Sequence, residues 1–309
     1  MESYFNNKGV FGLITKWKYH IIIIVVISMI AATIFSSPFF IKPKYKSVGI
    51  IYPVNLSTLS DESETEQLLQ ILQSQEIRED IYKSFNLAKH YGLDSLHPYF
   101  KTLLNSYFDD NVSFRKTEYE SVEISVMDVN PKFACSLVDS LIVFYNKKVS
   151  ELSKFKYGEV VEISTHDMKK KQIEIDTLTV KLNSIRKDFG ILDYKIQTQE
   201  ATRYQGNSTE MTKLLENLKE KGGEYRTLDS LLWNAQKKYF ELKNWYEVNV
   251  SNYEKNITYC HVVSKPYVSD KKAFPVRWVI VLLSAIGSLF MSIIIVSLIE
   301  SARKNKVKQ

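Results

Sequence analysis

Residues 161–196 read VEISTHDMKKKQIEIDTLTVKLNSIRKDFGILDYKI, with apolar residues every seventh position: Val161, Met168, Ile175, Leu182, Phe189 and Ile196. Leu178, Ile185 and Leu192 form a second row beside the first. A seven-residue apolar repeat puts one stripe on one side of a helix, the seam of a coiled-coil-like pair. Ser164 and Lys171 occupy the second row further back, where the seam is weak, and Gly190 is a natural break. Upstream, Asn130-Pro131 reads as the N-cap and first residue of the helix. No proline follows until Pro266. A helix over 131–189 is roughly 90 Å long at 1.5 Å per residue.

Downstream, the polar stretch Thr198–Thr209, with Gly206 and Asn207, predicts a turn region. A second seam follows at Met211, Leu218, Tyr225, Leu232, Tyr239, Tyr246 and Tyr253, with Leu214, Leu228, Ala235 and Leu242 in the companion row. Lys221, Gly222 and Gly223 interrupt it. Two seams separated by a polar turn predict an antiparallel helical hairpin over 131–256. Two such helices enclose little core of their own, so side-by-side packing in a homo-oligomer is expected.

Outside the hairpin lie pieces of a small α/β base, 42–130. Lys44–Pro53 is rich in β-branched and aromatic residues and stops at proline, which predicts a strand. Leu68, Leu69, Leu72, Ile77, Ile81 and Phe85 predict one amphipathic helix over 61–85, opened by acidic residues near Ser60 and Asp61. A shorter helix is expected around Ser95–Tyr107, and strands at Val112–Arg115 and Ser121–Val126. In the latter, Val122, Ile124 and Val126 alternate with Ser121, Glu123 and Ser125, the pattern of a sheet with one buried face. Ile257–Val263 reads as a return strand, and Pro266 and Pro275 hold the approach over 257–277 extended.

The two ends have another chemistry. Residues 19–41 and 278–299, the latter WVIVLLSAIGSLFMSIIIVSLI, contain no Asp, Glu, Lys or Arg. Roughly 20 helical residues cross a hydrocarbon core, so each segment suffices for one transmembrane helix. The alternative for the first is a cleaved signal peptide; its apolar run is long for that, and Ser36-Ser37 is followed by Pro38. Side chains sum to +2 over the tail 1–18 and +3 over 300–309, leaving +1 for 42–277 out of a total of +6. The positive-inside rule then puts both tails in the cytoplasm and the middle outside it. The net charge reads as topology, and no nucleic-acid partner is expected. Ser28, Ala32 and Ser36 lie four apart in the first span, as do Ser284, Ser288 and Ser292 in the second. Such rows let helices approach closely in lipid, within one chain or between chains. Arg277 marks the outer border, where its side chain can reach headgroups.

The whole chain has 309 residues, with 45% apolar and 25% charged residues. That average excludes collagen, low-complexity disorder and a polytopic bundle, and two cysteines exclude a disulfide scaffold. The fold class expected is an α+β membrane protein, two transmembrane helices flanking an α/β base with a long hairpin.

This order of parts resembles the chain length determinant family, the Wzz-type polysaccharide co-polymerases, over nearly the whole chain. The residues that carry the resemblance are the two terminal spans, the strand Tyr45–Pro53, the passage Ser125-Val-Met-Asp-Val-Asn-Pro-Lys-Phe-Ala134, the stretch Phe189-Gly-Ile-Leu-Asp-Tyr194, and Pro266, Pro275 and Arg277 before the second span. The family has several prolines in close succession there, and this chain has two. The resemblance implies a bacterial inner-membrane protein with a periplasmic base and hairpin. It implies a ring-like oligomer that sets the length of a surface glycan such as O-antigen with a Wzy-type polymerase and lipid-linked glycan, without catalysis of its own. Some relatives carry a tyrosine kinase domain; the short tail after Ile299 and the lack of a Walker-type loop predict the type without one.

No catalytic motif is present: no HExxH, no G-x-S-x-G and no glycine-rich phosphate loop. No cofactor or metal is expected, since the five histidines, His20, His90, His97, His166 and His261, are scattered. Cys135 and Cys260 are either a disulfide or two small buried hydrophobes. Tyr225, Tyr239, Tyr246 and Tyr253 read as packing seam before sugar platform, and Lys169–Lys171 as a solvated face before a glycan contact. The expected function is regulation of O-antigen, capsule or exopolysaccharide length. The alternative is an inner-membrane adaptor of a polysaccharide export or secretion system.

Overall fold

The computed structural model describes residues 7–56, 61–204, 206 and 208–307, with side chains described from 13 to 300. The expected helix opening near Ser60 and the turn residue Asn207 lie outside these. The described chain divides into two compact units. One holds the chain up to Asn146 and from Thr258 onward; the other is Lys147–Ile257.

The first unit begins with helix α1 (Asn7–Phe35), then strand β1 (Lys44–Pro53). Helices α2 (Glu64–Leu72), α3 (Gln75–Ser84), α4 (Leu87–His90) and α5 (Phe100–Asn111) follow, then strands β2 (Val112–Lys116) and β3 (Val122–Asp128). Helix α6 (Pro131–Phe189) contributes to both units. The chain returns to the first unit as β4 (Cys260–Ser264), β5 (Lys272–Phe274) and helix α9 (Arg277–Val307). The sheet runs β2-β3-β1-β4, with β5 beside the start of β1, and every pair is antiparallel.

The helix expected over 61–85 is two helices. Ser63 accepts from the Glu66 amide while the Glu66 carboxylate accepts from the Ser63 amide, a reciprocal cap that starts α2. Ser74 then takes extended backbone, φ −63° and ψ 151°, and starts α3. The apolar stripe survives the break: Leu68, Leu72, Ile77 and Ile81 are all buried. The short helix lies later than expected, at Phe100–Asn111. The alternation in β3 is only half obeyed, because Ser125 is buried along with Ile124 and Val126. Asn130 caps α6 as its sequence predicts, its Oδ1 accepting from the Lys132 and Phe133 amides.

Gly49 shows how β1 meets α6. A Cβ there would lie 2.8 Å from Val138 Cγ1, so only hydrogen fits. Asn146, one turn past Ile142 on α6, holds the returning chain. Its Oδ1 accepts from the Tyr259 amide at 2.8 Å, and its Nδ2 donates to the Ile142 carbonyl and to Cys260 Sγ. The approach to α9 is partly strand, since β5 pairs with β1 through Lys44–Phe274 and Tyr45–Lys272.

The second unit contains the rest of α6, α7 (Tyr194–Arg203) and α8 (Thr209–Glu254). Leu182, Ile185, Ile191, Ala201, Leu218 and Tyr225 are its buried core, and Phe189, Met211, Leu214, Leu228 and Leu232 pack around them. Gly190, at φ +66°, ends α6 where the sequence places the break. The expected turn Thr198–Thr209 is half helix: α7 runs to Arg203, capped by Asp193 accepting from the Ile196 amide. Its polar look misleads because Thr198 and Thr202 donate back to carbonyls one turn earlier, while Ala201 faces the core. Gln197 locks the turn, accepting from the Leu192 and Asp193 amides and donating to the Gly190 carbonyl.

Candidate functional site

The first candidate surface is the pair of apolar helices. Leu13–Phe35 and Arg277–Glu300 are each long and apolar enough to cross a membrane. The first helical span therefore stops six residues short of the expected Ile41. Only 6% and 11% of their most apolar windows are buried within the protein. A core helix of a soluble protein would bury most of that surface, so lipid is the fitting solvent. The two helices pack antiparallel along one side. Ser28 Oγ lies 3.3 Å from Ser284 Oγ, and each hydroxyl also lies 3.3 Å from the other's carbonyl oxygen. Ser36 and Ser292 are buried; Ala32 and Ser288 are half-buried. Ile21 and Val296 are buried further along, and Lys16 pairs with Glu300 at 2.8 Å.

The second surface is the border where the spans meet the sheet. Pro266 approaches the Gly49 position, Pro275 is buried, and Arg277 is exposed at the start of α9. Within about 20 residues of the spans, seven Lys and Arg lie on the tails and seven in 42–61 and 258–277 together. The local charge count is thus equal on the two sides and does not by itself orient the spans.

The third surface is the hairpin. Besides the inward seam, α8 exposes Trp233, Phe240 and Trp245, and α6 exposes Ile173 and Val180. Trp233 and Phe240 lie one heptad apart, as do Ile173 and Val180, so each helix carries an outward apolar row left largely exposed among the described residues. A cleft of about 340 Å³ opens between α6 and α8, lined by Thr165, Met168, Lys169, Gln172, Tyr239 and Tyr246. Tyr225 is a core residue: its hydroxyl donates to the Leu192 carbonyl.

Chemistry-bearing groups are dispersed. Among the described residues no group of three or more His, Cys, Asp and Glu could hold a metal ion. Cys135 and Cys260 are free thiols, so the disulfide weighed from sequence is not made here. Cys135 is half-buried on α6, whereas burial pushes the Cys260 thiol up. His90 Nε2 lies 2.8 Å from Asp128 Oδ2, its ring stacked on Phe133. This pair, a buried Asp128 met by a partly exposed His90, had no sequence signal, since its partners come from α4 and β3.

No family model matches the chain, and no curated protein does. Among solved structures it is similar to a full-length bacterial polysaccharide co-polymerase, at 14% identity over 96% of this chain and 97% of that one, TM-score 0.48. It is also similar to the Shigella flexneri lipopolysaccharide O-antigen chain-length regulator WzzBSF, at 14% identity over 74% and 99%, TM-score 0.34. A third is a fragment of WzzB, a polysaccharide co-polymerase from Salmonella Typhimurium, at 13% identity over 75% and 100%, TM-score 0.33.

Proposed function

We propose that the chain is a non-catalytic regulator of surface polysaccharide length, O-antigen, capsule or exopolysaccharide, acting as a homo-oligomer with a Wzy-type polymerase and its lipid-linked glycan. It would sit in a bacterial inner membrane as a two-pass protein, both termini cytoplasmic and the base and hairpin periplasmic. The observation that carries this is a combination. Two apolar helices pack on each other at the ends of a chain whose middle is a sheet base and a hairpin with exposed apolar rows. Such a molecule is built to anchor and to assemble. The solved structures named above are called regulators and co-polymerases; the reading for this chain rests on its own parts and on the family its sequence resembles.

Mechanistically, the paired spans offer a lateral surface to a polymerase, and packed hairpins form the body that engages a growing glycan. Their assembly would bias when elongation stops. The test is a gel of surface polysaccharide from wild-type and deletion strains. A shift from a modal to a broad length distribution on deletion is expected, restored by the gene; an unchanged distribution overturns the reading. Blue-native electrophoresis of the solubilised protein should show a multiple of 35.9 kDa. Alkaline phosphatase and fluorescent-protein fusions to the hairpin turn report its side of the membrane.

A further inference from the structure

The charge of the chain between the spans is segregated. The two segments that join the spans to the sheet, 42–52 and 261–277, carry Lys42, Lys44, Lys46, Lys265, Lys271, Lys272 and Arg277 against Asp270 alone, a sum of +6. The chain between them, 53–260, carries 27 Lys and Arg against 32 Asp and Glu, a sum of −5. A middle that looks neutral is therefore cationic in the two joining segments and acidic in the chain between them.

The structure sorts these cations by availability. Lys44 donates to Asn111 Oδ1 at 2.6 Å, and Lys46 pairs with Glu123 at 3.5 Å. Lys42, Lys265, Lys271, Lys272 and Arg277 are exposed, and among the described residues their side chains make no ion pair or hydrogen bond. It also sorts them by place. Strand pairing sets Phe274 beside Lys44 and Lys272 beside Tyr45, at the end of the sheet where α1 hands over to β1 and β5 to α9. Lys42, Lys271, Lys272 and Arg277 thus share one rim, each within seven residues of a span end. Ser264 pairs with Ile50 and Pro266 approaches Gly49, so Lys265 stands four to five residues, roughly 15 Å at 3.3 Å per residue, further along β1 than the Lys44–Tyr45 end. Aromatic rings share the rim. Phe40 lies 5.1 Å from Phe35 and 5.2 Å from Phe39 between centroids, and Tyr267 and Trp278 are exposed. Exposed rings beside unpaired cations suit the water–lipid interface, where rings lie among headgroups and cations meet phosphates.

We infer that Lys42, Lys271, Lys272 and Arg277 form a rim that binds the anionic headgroups of the bilayer and selects acidic over zwitterionic phospholipid around the paired spans. This rests on α1 and α9 crossing the membrane, and it holds for either orientation of the chain.

The test uses the full-length protein in mild detergent, titrated with phosphatidylglycerol or phosphatidylcholine and read by native mass spectrometry. The wild type should retain phosphatidylglycerol preferentially. Each cation at a membrane surface contributes about fivefold in attraction at low salt. The fourfold variant Lys42→Gln, Lys271→Gln, Lys272→Gln, Arg277→Gln should therefore lose most of the preference that the tails do not supply. Lys265→Gln, with the same kind of charge change off the rim, should keep it. Replacing the three lysines by arginine should also keep it, which separates charge from misfolding. An unchanged preference in the fourfold variant, an equal loss in Lys265→Gln, or displacement of the lipid by inorganic phosphate would overturn the rim. Alkaline carbonate extraction tests the premise apart: retention of wild type and variant in the membrane pellet leaves the lipid titration to judge the rim alone, and release of the wild type overturns the spans and the rim together.

Discussion

Ser28 and Ser284 meet hydroxyl to hydroxyl at 3.3 Å, each also within reach of the other's backbone carbonyl. They join the two apolar helices within one chain, although 256 residues separate them. In hydrocarbon the helices gain little from burying apolar surface, so small residues and such hydrogen bonds decide how they pair.

That geometry predicts an intramolecular cross-link. Ser28→Cys with Ser284→Cys, in a background lacking Cys135 and Cys260, should oxidise to a monomer of altered gel mobility. A covalent dimer as the main product would mean that the contact is made between chains. Ser284→Leu should weaken the pair by roughly 1 kcal/mol or less through the lost hydrogen bonds, with crowding added.

Gly49 tolerates no side chain, because its Cβ would sit 2.8 Å from Val138 Cγ1, and Val138 is itself fully buried. Gly49→Ala should destabilise the first unit by about 1–3 kcal/mol. The double variant with Val138→Ala should recover part of that, measured as thermal melting temperature. Additive losses would place the clash elsewhere.

Asn146 satisfies the Tyr259 amide and touches Cys260 Sγ. Asn146→Ala should cost about 1–3 kcal/mol by leaving a buried donor unpaired. In the wild type, Cys135 should label first, because Cys260 is buried and its thiol is pushed up by that burial. Denatured, non-reduced protein should show two free thiols.

Burial, aided by the Asp128 carboxylate, pushes the Tyr91 phenol up to about 12. Burial pushes Tyr82 and Tyr145 upward as well. An unfolded phenol ionises near pH 10, so folding favours the neutral form. The stability held by this difference is complete below about pH 10 and is lost as pH rises towards 12. The melting temperature should fall across that window, and less steeply in Tyr91→Phe than in wild type. Parallel curves would assign the alkaline loss to other groups.

Much of this architecture is legible in one sequence because it rests on periodicity. The heptads from Val161 and from Met211 are local facts, and so are the break at Gly190 and the cap at Asn130. The apolar runs are equally local. The misses have a common cause. The polar string from Thr198 hides α7 because its threonines return their hydroxyls to the backbone and one alanine suffices to seat it. The break at Ser74 interrupts no apolar stripe, so the pattern reads straight through it. Strand β5 is three residues long and exists through its pairing with Lys44 and Tyr45.

By itself, the sequence determined the kind of each segment: membrane-competent ends, a sheet-forming base and a seam-bearing hairpin. These are short-range consequences of side-chain spacing and hydrophobicity. Tertiary structure alone decided which distant residues meet. It set Ser28 against Ser284, hung the return strand on Asn146, left Cys135 and Cys260 unbridged, and gathered four unpaired cations at the lip of the spans. Such pairings depend on register and on the three-dimensional route of the chain, and residue spacing along one strand of sequence does not encode the distance between two others.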